Sequence, residues 1–206
     1  MNLQRPLISP TAGFRVSASC LTGHTCATSI PNQRIWSRSW YRTFWRGFGA
    51  MSVAFGSAAP LPASAIRTEV TRWPTLEDAL GSEQLKILDP LEWYGEPAEL
   101  NGEEIIGRWL SEEDRALADG YNGLRITGNT SFVPKEGWTR LIEYERTLSE
   151  RLQERRILAF CSYSLRTCQA VDMLEVVRSH HAALDRSGEY WQMFTPREVQ
   201  GRPRGE

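Results

Sequence analysis

The run "ILAFCSYSL" (157–165) constrains this chain more than any other stretch. It is almost unbroken in apolar residues, and such a run reads as a strand buried on both faces, the kind that a parallel sheet covered by helices requires. Its two-residue period puts Cys161 and Tyr163 on one face, with Tyr163 near the strand end. "NGLRITGNTSF" (122–132) reads as a second strand. Leu124 and Ile126 lie on one side of it, Arg125 and Thr127 on the other, and Gly128 breaks the run before Asn129, Thr130 and Ser131. "QLKILD" (84–89) is a third strand stopped by Pro90, and "YWQMF" (190–194) a last one.

Helical patterns alternate with these strands. In "NGEEIIGRWLSEEDRALADG" (101–120), Asn101 caps, Glu103 and Glu104 suit the positive N-terminus and Gly120 closes the helix. Its apolar stripe is Ile105, Ile106, Trp109, Leu110, Ala116 and Leu117. Residues 137–152 place Trp138, Leu141, Ile142, Glu145, Leu148 and Leu152 on one side, and "CQAVDMLEVVRSHHAAL" (168–184) reads as a further amphipathic helix carrying His180. Shorter helices are expected within 60–73 and 75–80. The whole order predicts an α/β domain with a mainly parallel sheet flanked by helices. Ligands of such sheets sit outside the C-terminal ends of the strands, where "ITGNTS" and "CSYS" fall.

Charge divides the chain. Residues 1–68 contain seven Arg and no Asp, Glu or Lys, whereas all 25 acidic residues follow, against 17 Lys and Arg. The expected organisation is a basic, atypical and disordered N-terminal third (1–58), an α/β domain (59–195) and a polar, flexible tail (196–206). Arg42 and Arg46 ahead of "GFGAMSVAFGSAAPL" and "PASA" also suggest a targeting segment. Cys20, Cys26, Cys161 and Cys168 form no CxxC pair, which is consistent with reduced thiols in a cytoplasmic protein. No stretch reaches the ~18 apolar residues of a membrane span.

The candidate ligand-binding residues are Arg125, Thr127, Asn129, Glu145, Cys161 and Tyr163. In "EYE" (143–145) only one glutamate can face the sheet, and Glu145 shares the apolar stripe. A buried carboxylate needs a partner, and Arg125 is the expected one. His180 aligns with Met173, Val177 and Leu184 at helical spacing, so it faces partly inward. No GxxxxGK[ST] or GxGxxG occurs, and no catalytic constellation stands out, so a non-enzymatic protein without a cofactor is expected.

"LADGYNGLRITGNTSF", "LIEYE", "LAFCSYSL" and "MLEVVRSHHAAL", in this order and at these spacings, resemble the MEDS domain, the sensory domain of bacterial dichloromethane-type regulators and of many signalling histidine kinases. The likeness extends over about 59–185. It implies a RecA/KaiC-like fold without a nucleotide loop, and a module that senses small hydrocarbon derivatives. It places Arg125, Thr127, Glu143, Tyr144, Glu145, Cys161, Tyr163 and His180 at family-typical positions. Asn129 and Phe132 depart from the acidic residue and Trp often found there. "GHTC" (23–26) matches a His-x-Cys element of the family's first strand. Residues 27–57 lack the periodicity of the helix and strand that follow it, and read as out-of-frame translation. The resemblance also allows a divalent metal on His24, Cys26, Cys161 and His180.

The first functional expectation is therefore a bacterial sensory domain that binds a small, weakly polar molecule. The alternative is an interaction module that regulates a partner kinase or transcription factor without a ligand. No helix-turn-helix or other output element is visible, so direct contact with nucleic acid is not expected.

Overall fold

The computed structural model describes residues 24–30, 52–56, 63–72, 74–164, 168–187 and 190–194, and side chains only outside the two N-terminal strands and before residue 184, except at 69, 75, 131 and 164. The strands are β1 (His24–Ile30), β2 (Ser52–Gly56), β3 (Leu85–Leu88), β4 (Leu124–Asn129), β5 (Ile157–Ser164), β6 (Ala182–Ser187) and β7 (Tyr190–Phe194). They form one sheet in the order β3-β2-β4-β5-β1-β6-β7. All neighbours are parallel except the β6–β7 pair. The helices are α1 (Ala63–Val70), α2 (Pro74–Gly81), α3 (Pro90–Tyr94), α4 (Gly102–Ala118), α5 (Trp138–Arg151) and α6 (Ala170–Ser179). The parallel α/β class expected from the sequence is what the chain adopts.

Local chemistry sets the element ends. Asp89 accepts from the Leu91 amide at the start of α3, and Pro90 occupies its first turn. Asn101 accepts from the Glu104 amide and caps α4, a contact worth about 1 kcal/mol. Gly120, at φ 87°, takes the left-handed turn after α4.

β5 is the centre of the sheet, and every side chain from Ile157 to Tyr163 is buried. Its alternation divides the core. Ile157, Ala159, Cys161 and Tyr163 join Leu124 and Ile126 of β4 under α4, α5 and α6, represented by Ile106, Trp109, Leu141, Leu148 and Val176. The register pairs Arg125 with Leu158, Thr127 with Phe160 and Asn129 with Ser162, so these residues occupy the opposite face. α1 and α2 lie on that second face, where Arg67 donates to the Ile87 carbonyl at 2.7 Å.

Two expectations need correction. The helix expected over 168–184 ends at Ser179. His180 is extended (φ −117°, ψ 155°), and Ala182–Ser187 forms β6 against β1. "AALDRS" has helical propensity and no β-branched residue, and pairing with β1 overrides it. Leu117 is exposed rather than in the α4 stripe, while Glu113, which the apolar pattern passed over, is buried. Within the segment set apart by charge (1–58), the described residues are those of β1 and β2. The rest of 1–62 and the tail 196–206 lie outside the described residues.

Candidate functional site

A polar cluster sits inside the α4–α6 face of the core. β5 supplies Cys161 and Tyr163, α5 supplies Glu145, and the link between α6 and β6 supplies His180. All four are buried. The Cys161 thiol donates to Glu145 Oε2 at 3.5 Å, and His180 Nε2 lies 3.5 Å from the same oxygen. The Tyr163 hydroxyl is 3.4 Å from His180 Nε2 and also hydrogen-bonds the Glu145 carboxyl. The His180 ring is fixed from behind, since Nδ1 lies 2.8 Å from the Val176 carbonyl and must donate to it. Ser179 donates to the same carbonyl. Nε2 therefore presents its lone pair to the cluster.

Burial decides the charge states. It pushes the Glu145 carboxyl up to about 7, with the hydrogen bonds from Tyr163 and Cys161 pulling the other way. It holds His180 down at about 4, against the bond to Val176. Near neutral pH the imidazole is thus uncharged, and the contact between His180 and Glu145 is not an ion pair. Tyr163 and Tyr144 are pushed above the usual tyrosine range, first by burial and then by neighbouring groups.

Aromatic rings wall the cluster. Trp138 packs edge-on against Tyr163 with centroids 6.2 Å apart, and Tyr163 meets His180 in the same way at 5.8 Å. Tyr94 stacks on Phe132 at 5.4 Å, and its hydroxyl bonds that of Tyr144, which accepts from Trp109 Nε1 at 3.1 Å. Gly128 explains why β4 loses its side chain here. A Cβ at this position would stand 3.3 Å from the Tyr94 hydroxyl. Tyr94, Trp138 and Gly128 were not expected at the site. The only signals in the sequence are an aromatic residue ahead of Gly95 and a glycine in a strand.

The structure divides the expected ligand residues between the two faces of the sheet. Glu145, Cys161 and Tyr163 come together. Arg125, Thr127 and Asn129 lie across the sheet from them, so the expected Arg125–Glu145 salt bridge does not form. The strand alternation that separates Arg125 from Ile126 also separates it from α5. Burial lowers the Arg125 pKa. Asn129 Nδ2 donates to Ser162 Oγ at 3.1 Å, and Thr127 Oγ1 is buried with no hydrogen-bond partner among the described residues. The expected metal set is only partly described. His24 and Cys26 stand at register positions opposite Leu158 and Phe160, whereas Cys161 pairs with Ala27. The side chains of β1 lie outside the described residues.

Comparison with known proteins agrees with this architecture. The family model described as MEDS, the methanogen/methylotroph, DcmR sensory domain, matches residues 51–181. The match opens ahead of residue 59 and takes in β2. Among solved structures, the chain is similar to the KaiC-like protein PH0186 from the hyperthermophilic archaeon Pyrococcus horikoshii OT3. The TM-score is 0.53 at 13% identity, over 86% of this chain and 81% of that one. That likeness is one of fold alone. No curated protein is significantly similar in sequence.

Proposed function

Since the chain belongs to the MEDS family of sensory domains, we propose that it binds a small, weakly polar hydrocarbon derivative at the Glu145–Cys161–Tyr163–His180 cluster and passes the binding event to a signalling partner. The observation that carries this reading is a group of four polar side chains buried together inside an aromatic-walled core. Such a group costs folding energy that an apolar filling would avoid, which fits a site kept for recognition. A ligand with one oxygen or halogen could exchange hydrogen bonds with Tyr163 and Glu145 while its carbon skeleton meets Trp138 and Tyr94. No reaction is assigned to the cluster.

A second reading places the ligand across the sheet. The orphaned Thr127 hydroxyl favours it, because a buried hydroxyl without a partner costs about 1–3 kcal/mol and a ligand could supply the bond. A thermal-shift screen against short alcohols, ketones and halogenated alkanes separates the two. A compound that raises the transition of the wild-type chain should lose its effect in Tyr163→Phe and keep it in Thr127→Val. The opposite pattern moves the site to the second face. If no compound raises the transition, the remaining reading is an interaction module that regulates a partner kinase or transcription factor without a ligand.

A further inference from the structure

The same cluster has the donor set and spacing of a metal centre. We propose that Glu145, Cys161 and His180 form a three-ligand site for a divalent ion of the zinc type, with Tyr163 placed to hydrogen-bond whatever takes the fourth position. One sulfur, one imidazole nitrogen and one carboxylate oxygen lie within 4.8 Å of one another. Two of the three separations, Sγ to Oε2 and Nε2 to Oε2, are 3.5 Å. Bonds of about 2.0–2.3 Å at tetrahedral angles put zinc ligands about 3.3–3.6 Å apart. The pair of 3.5 Å edges is thus that of a tetrahedral face.

The surroundings support the same assignment. The Nδ1 bond to the Val176 carbonyl is the arrangement that orients a ligating histidine and leaves Nε2 for the ion. Nε2 and Glu145 Oε2 face each other as two acceptors, and two acceptors at 3.5 Å need a proton or a cation between them. A thiolate, a carboxylate and a neutral imidazole carry two negative charges, which one divalent ion cancels inside the core. Binding releases the Cys161 thiol proton, and the Glu145 carboxyl proton where it is still held, to solvent. The mixed S, N and O donor set favours zinc over the oxygen-seeking magnesium and calcium. The set shares Cys161 and His180 with the one the family resemblance suggests, and Glu145 takes a place in it.

This inference deepens the sensory reading, since ion and organic ligand would share the same residues, but metal content is measured with no organic ligand present. The two can therefore fail separately. The full chain is stripped with chelator, reloaded with zinc or cobalt(II), desalted and assayed for metal. The expected result is about one ion per folded chain. The cobalt form should show visible d–d bands of a tetrahedral ion and a near-ultraviolet thiolate-to-cobalt charge-transfer band. Cys161→Ser should lose the charge-transfer band, His180→Ala should weaken binding at least about tenfold, and Cys168→Ser should change neither. Circular dichroism shows which variants fold. The wild-type cobalt spectrum stands even if a variant does not. A folded wild-type chain that takes up no zinc or cobalt overturns the proposal, as does a charge-transfer band that survives Cys161→Ser.

Discussion

His180 Nε2 and Glu145 Oε2 stand 3.5 Å apart with their side chains 0% and 2% exposed. In the unfolded chain near pH 5.5, histidine is protonated and glutamate is not. In the folded chain the order is reversed, because burial disfavours both charges. Folding transfers a proton from one group to the other and leaves the number bound unchanged.

The pH dependence of the metal-free chain tests this relationship. Glu145 is raised from 4.5 to about 7, so its share of stability falls as pH rises through that interval. His180 is lowered from 6.5 to about 4, so its share grows as pH rises from about 4 to 6.5. In the wild-type chain the two slopes oppose each other between pH 4.5 and 6.5. Glu145→Gln should unmask the rising slope and His180→Gln the falling one, each amounting to at most about 3 kcal/mol. Urea midpoints across the interval, taken as differences from wild type, measure both. Parallel profiles in all three chains would reject the transfer.

Glu113 is the second buried carboxylate and has a structural role. Its oxygens accept from Arg155 Nε and from the Arg156 amide, both at 2.5 Å, which ties α4 to the turn entering β5. Glu113→Ala leaves that amide without its acceptor and should cost about 3 kcal/mol. Asp114 binds the same arginine from an exposed position. Asp114→Ala should cost below about 1 kcal/mol. Equal losses of urea midpoint would contradict the assignment.

Gly123 stands where the same turn meets β4. A Cβ there would sit 2.2 Å from the Arg156 carbonyl oxygen, a backbone atom held by the Leu124 amide at 2.8 Å. Gly123→Ala should therefore destabilise by about 2–4 kcal/mol. At Gly107, exposed on α4, a Cβ meets nothing within 4 Å. Gly107→Ala should stabilise by about 0.5–1 kcal/mol. Thermal midpoints that move in the same direction would count against this account of the two glycines.

What the sequence determined by itself is periodic. The apolar run of β5, the alternation of β4 and the stripes of α4 and α5 were enough to read a parallel α/β sheet, to bury Glu145 rather than Glu143, and to put Cys161 and Tyr163 on one face. Each of these follows from how one segment repeats along its own axis. Partners were less legible. Arg125 looked like the natural counter-charge for Glu145, but the sheet stands between them, and a face has meaning only once the neighbouring elements are in place. His180 reaches the cluster because the chain leaves the helix at Ser179 to pair β6 with β1, a contact distant in sequence that outweighs the helical propensity of "AALDRS". Tertiary structure alone set the carboxylate, thiol, phenol and imidazole against one another, since no spacing along the chain encodes the convergence of three separate elements.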